Sequence, residues 1–162
     1  MAFDDAKRKK HMERDFYHYW FNGFEESLKN ICENDKNILF KNIGKACSDS
    51  YTRDIYINEY NESENIYDFI VKLKKRFPEM EINLINENEI NILYHYCACD
   101  LVEKGYIKTP AFCECSRQSL LYNWESILGK DNVEIKLIHS ILEGNDTCLF
   151  SIKITEGGFT GV

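Results

Sequence analysis

Met80-Glu81-Ile82-Asn83-Leu84-Ile85-Asn86-Glu87-Asn88-Glu89-Ile90-Asn91-Ile92-Leu93-Tyr94-His95-Tyr96 is the stretch on which the fold turns. Met80, Ile82 and Leu84 alternate with Glu81, Asn83 and Ile85, the period of a half-buried strand. Asn86-Glu87-Asn88-Glu89 is a cluster of turn formers. Ile90, Ile92, Tyr94 and Tyr96 then alternate against Asn91, Leu93 and His95, predicting a second strand that runs into Cys97.

Upstream of Pro78 the period is helical. Phe16, Trp20, Phe24, Leu28 and Ile31 form one stripe of an amphipathic helix over Ala6–Cys32, and Tyr17, Tyr19 and Phe21 widen it. That surplus predicts more than one neighbour for the helix, or a dimer interface. A second helix is expected over Asp35–Cys47, with Ile38, Leu39 and Ile43 inward. Ser50–Tyr60 reads equally as helix or extended chain. Asn61-Glu62-Ser63-Glu64 has the residues of a capping box, ahead of a helix over Ile66–Phe77 that buries Ile66, Phe69, Ile70 and Leu73. Pro78 ends it.

Downstream, Asp100–Pro110 reads as an irregular excursion around Gly105. Ser116 is a suitable N-cap for a helix over Arg117–Leu128, with Leu120, Leu121, Trp124 and Ile127 inward and Gly129 as its stop. Val133, Ile135 and Leu137 open a third strand. Glu143-Gly144-Asn145-Asp146 is a hairpin turn, and Cys148, Phe150, Ile152 and Ile154 line a fourth strand. The prediction is a single α+β domain over 1–155 with a flexible tail at 156–162. A helical N-terminal half packs on a four-stranded antiparallel sheet, and one helix is inserted between strands 2 and 3.

Five of the seven cysteines lie in the last two-fifths of the 162-residue chain. Cys97-Ala98-Cys99 and Cys113-Glu114-Cys115 form two C-x-C pairs, and Cys148 follows in the last strand. Extended backbone would point both thiols of a pair to one side, a chelating arrangement that suits a thiophilic ion such as zinc. Five thiols exceed what one tetrahedral zinc needs. Inert core thiols, redox chemistry and an iron–sulfur cluster are the other readings. Cys115, just before Ser116, would have its thiolate stabilised by the helix dipole. Cys32 and Cys47 read as plain core residues. His95, two before Cys97, is the natural non-thiol ligand, although a lone histidine on a strand is more often just hydrogen-bonded, and His139 reads the same way.

A formal charge of −7 argues against nucleic acid, because the basic runs Lys7–Lys10 and Lys72–Arg76 read as solvated faces. No stretch has the length of an apolar membrane span, and Met1–Asp5 begins no signal peptide. A cytoplasmic, reducing location follows by default, where seven cysteines read as ligands or free thiols.

The segment Tyr96–Ile154, with both C-x-C pairs, Trp124-Glu125-Ser126-Ile127-Leu128-Gly129-Lys130 and Glu143-Gly144-Asn145-Asp146-Thr147-Cys148-Leu149-Phe150, resembles a group of uncharacterised bacterial and archaeal proteins. Its closing hairpin is similar to the end of the vinyl-reductase-type domain, of the fold shared by nitric-oxide-signalling and Golgi-trafficking ligand-binding domains. The resemblance implies a zinc-binding sensor domain beside a pocket for a small apolar or aromatic molecule, with Cys148 joining Cys97, Cys99, Cys113 and Cys115. A weaker similarity, to aminothiazoline-carboxylate hydrolase-like proteins, implies instead a cysteine-dependent hydrolase.

Overall fold

Pro78 is where the chain passes from helix to sheet. The structure, a computed structural model, describes residues 5–155. The expected tail at 156–162 lies outside the described residues. Four helices come first: α1 (Asp5–Leu28), α2 (Glu33–Cys47), α3 (Arg53–Asn61) and α4 (Ile66–Arg76). The hairpin β1 (Met80–Asn86) and β2 (Glu89–Tyr94) follows, then a short α5 (Asp100–Glu103) and the long α6 (Cys113–Leu128). β3 (Val133–His139) and β4 (Cys148–Ile154) close an α+β fold.

All neighbouring strands are antiparallel, in the order β1-β2-β4-β3. Register sets Ile82, Ile92, Phe150 and Leu137 in one row across the sheet, and Leu84, Ile90, Ile152 and Ile135 in the next. These rows face inward, where α4 packs on β1 and α6 on β3. Glu81, Asn83, Glu134, Lys136 and Lys153 are exposed on the other face. Ile85 in β1 and Ile138 in β3 are single extra residues that shift the register, and each is 54% exposed.

The core between helices and sheet is built on rings. Trp124 and Phe69 meet edge to face at 5.7 Å, and Tyr56 meets Trp124 at 6.0 Å. Each such pair adds roughly 0.5–1.5 kcal/mol beyond its area. A second apolar cluster lies on the far side of α6 and gathers Leu28, Phe40, Ile107, Phe112 and Cys115.

α2 and α3 are joined without a break in helical backbone by a π-helical turn, Ser48–Thr52. The extra residue in that turn explains why Ser50–Tyr60 has no clean period. It aims Ser48 and Thr52 at α6, where the Ser48 hydroxyl donates to Asn123 Oδ1 and Asn123 Nδ2 donates to Thr52 Oγ1 at 3.2 Å. Ser48 and Asn123 are buried, so this is the polar seam between the two helices.

Several expectations change. Ile38 is 53% exposed, and α2 instead buries Phe40 and Gly44. Asn65, not Asn61, caps α4, accepting the Asp68 N–H. On α1, Leu28 is buried and Phe24 half-buried, but Phe16 and Trp20 face outward. β2 ends at Tyr94, short of Cys97.

Candidate thiol site

The inserted helix starts earlier than its cap residue suggested. Pro110 opens a 3-10 turn, Pro110–Phe112, that runs directly into α6 at Cys113. Ser116 is therefore inside the helix, and both cysteines of the second pair lie in its first turn. Two residues apart on a helix is a rotation of about 200°. The pair that extended backbone would have aimed one way is split to opposite sides of α6.

Cys113 turns toward the sheet. Ser140 lies beside it and works against the rise in its pKa, while the charges of Cys148 and Cys97 add to that rise. Cys148 opens β4 on the inner face, opposite Tyr94, and its Sγ accepts the Ile141 N–H at 3.3 Å. Ser140 is held by its own capping box with Glu143. Cys115 turns the other way, into the second apolar cluster, where Cys47 and Cys99 are the thiols that bear on it most and Cys113 bears on it least. The C-x-C pairs thus interleave, each giving one member to either side: Cys97, Cys113 and Cys148 on one, Cys99, Cys115 and Cys47 on the other.

Cys113, Cys115 and Cys148 are buried, Cys97 and Cys99 half-buried. Burial is the leading cause of every resolved shift among them and raises the pKa each time: Cys113 to about 11 and Cys115 to about 12, with Cys97 and Cys148 also pushed up. The N–H groups of Cys99 and Ile141 oppose the rise at Cys97 and Cys148. The charged groups acting on these thiols are other thiols, Glu114 and Glu143, all negative when ionised. The helix dipole expected to favour a Cys115 thiolate is outweighed by loss of water. A nucleophilic cysteine needs the reverse, a cation or an open helix end that lowers its pKa.

Cys32 and Cys47 are exposed, not core residues. Cys32 Sγ donates to Asp35 at 3.2 Å. The Cys47 thiol is also pushed up, by desolvation first, a push that solvent at an exposed site weakens. Its place beside Cys115 was not foreseen, although the spacing Gly44-x-x-Cys47 contains the reason. Gly44 lets α2 close on α6 at Cys115 and Ser119, and Cys47 is one turn further along the same face.

His95 is remote from this chemistry, bonding Glu81 at 3.0 Å on the exposed face of the sheet. Hydrogen bonds from Asn83 and then His95 hold the Glu81 carboxyl below its ordinary range. His139 bonds Thr147 at 2.8 Å. Among the described residues, no group of three or more Cys, His, Asp or Glu is gathered closely enough to hold a metal ion. Two grooves, one along the N-terminal part of α1 and one between α4 and β1, are lined by no cysteine. No helix of the described residues is long and apolar enough to cross a membrane.

No protein-family model matches the chain, and no curated protein matches it.

Proposed function

We propose that the chain is a non-catalytic binding domain whose Cys97–Cys113–Cys148 thiols take a soft metal ion, zinc first. The observation that supports this is that three separate segments bring thiols to one end of the sheet, in surroundings whose ionised neighbours are all negative. Such surroundings oppose ionisation until a cation arrives. The donor chemistry suits zinc. The spacing as it stands does not gather three ligands, so binding requires residues 97–99, which are neither helix nor strand, to draw in on Cys113 and Cys148.

The test is a zinc titration of the metal-free chain, with elemental analysis after dialysis. We expect about one zinc per chain, released protons, and a raised melting temperature. Cys113→Ala/Cys148→Ala should abolish all three, while Cys32→Ala should leave them intact. A chain that keeps no zinc after dialysis and melts identically with and without it would end this reading.

The alternative of thiols that merely fill the core draws support from Cys115, which packs with Leu28, Phe40, Ile107 and Phe112. It implies that Cys113→Ala, like Cys115→Ala, lowers stability by the same amount with or without zinc.

A further inference from the structure

α1 carries two apolar faces, and the protomer uses one. Phe21, Phe24 and Leu28 turn inward, and Glu25 clamps the helix to the excursion by accepting the N–H groups of Lys108 at 2.6 Å and Thr109 at 2.8 Å. On the adjoining side Met12, Phe16, Tyr19 and Trp20 are 63%, 61%, 79% and 54% exposed, with Trp20 bordering the covered face through a ring stacked on Phe24 at 5.9 Å. Their spacing, i, i+4, i+7 and i+8, makes a single stripe.

The charges of α1 run the wrong way for its own dipole. Residues 5–16 carry five basic and three acidic residues, whereas 17–28 carry Glu25 and Glu26 and no lysine or arginine, and Lys29, just past the helix, pairs with Glu26 at 2.5 Å on the surface. A helix N-terminus favours anions and its C-terminus cations, so this distribution opposes the helix that bears it. A helix laid alongside in the opposite direction would reverse the conflict, setting each basic end against an acidic one.

We propose that α1 pairs antiparallel with α1 of a second copy of this chain. With the two-fold axis at Phe16, the two Phe16 rings meet, Met12 of each copy lies against Trp20 of the other, and Arg8 and Lys9 approach Glu26. Arg8 and Lys9 line the same groove as Met12 and Phe16, so charge and apolar surface belong to one face. Burying the exposed part of four large side chains removes roughly 100–150 Å² each, about 1,000 Å² across the pair, the lower limit for a specific interface. The interface is isologous and closes on itself. It is independent of the thiol site.

Sedimentation equilibrium of the full chain tests this at roughly 1–100 μM, the range in which such an interface dissociates. We expect a monomer–dimer equilibrium that Phe16→Glu weakens about tenfold or more. Arg8→Glu/Lys9→Glu should weaken it as well, and adding Glu26→Lys to that variant should restore it. The residues of α1 changed here are exposed, so at concentrations low enough that every variant is monomeric near-UV circular dichroism and urea midpoints should not move, which separates lost pairing from lost folding. A chain monomeric at every concentration overturns the proposal, and binding of that monomer to anionic vesicles would reassign the face to a membrane surface. A dimer indifferent to Phe16→Glu, or a charge swap that fails to restore pairing, overturns it too.

Discussion

Gly44→Ala tests how closely α2 and α6 approach. A methyl group at Gly44 would lie 2.7 Å from Gln118 Cβ, 2.8 Å from the Cys115 carbonyl oxygen and 2.8 Å from the Ser119 nitrogen. Carbon atoms in ordinary contact sit about 3.5–4.0 Å apart, so α2 must retreat by roughly 0.7–1 Å. Two of the three obstructing atoms are backbone and cannot turn aside. Overpacking of this kind costs about 1–3 kcal/mol, and the better helix propensity of alanine returns about 0.8–1 kcal/mol. The net loss is then about 0–2 kcal/mol, with the upper half expected because backbone must move. For a chain of this length that lowers the melting temperature by about 2–8 °C. Gly23→Ala is the control, since a methyl there meets nothing within 4 Å and should gain up to about 1 kcal/mol. Urea denaturation of both variants at one protein concentration measures the difference. Because α2 also covers Cys115, Gly44→Ala should speed labelling of that buried thiol by a disulfide reagent. A Gly44→Ala protein as stable as Gly23→Ala, with Cys115 equally protected, would refute the contact.

Stability should fall at alkaline pH. The folded-state pKa values of Cys113 and Cys115, about 11 and about 12, lie above the unstructured value, so both thiols stabilise the fold fully below about pH 8.5 and progressively less up to about pH 11–12. The loss, on the order of several kcal/mol, appears as a falling urea midpoint across that window, and Cys115→Ala should flatten it. Tyr56→Phe should be neutral or stabilising by up to about 1 kcal/mol in the same assay. The buried Tyr56 hydroxyl, its pKa pushed up by burial, meets no partner in hydrogen-bond geometry, although the Trp124 N–H is near enough to oppose that push slightly. Asn123→Ala should cost about 1–3 kcal/mol in thermal melts, because it strands the buried Ser48 hydroxyl.

What could be read from the sequence was whatever has a period. The alternation at Met80–Leu84 and Ile90–Tyr94 gives the hairpin, and Ile66, Phe69, Ile70 and Leu73 are the buried set of α4. Gly129 does end α6. The thiol arrangement was hidden because it depends on where a helix begins. A strong cap residue, Ser116, drew the start of α6 four residues late, and those four residues decide whether Cys113 and Cys115 share a side or oppose. On α1, periodicity drew one stripe through Phe16, Trp20, Phe24, Leu28 and Ile31 but had no means to tell that only its C-terminal part is covered, since all its members are equally helical in spacing. The π-helical turn has no residue signature, so Ser48–Thr52 and the aim of its hydroxyls became visible only in three dimensions.

The extra residues Ile85 and Ile138 sit in the two outermost strands, one on each side of the sheet. A straight outer strand is a template on which another chain can crystallise its own backbone, copy after copy, into a fibre. A kink in each of the two outer strands spoils that template at both ends. Growth by strand addition is discouraged in either direction, and self-association through a helix face would stop at a finite particle.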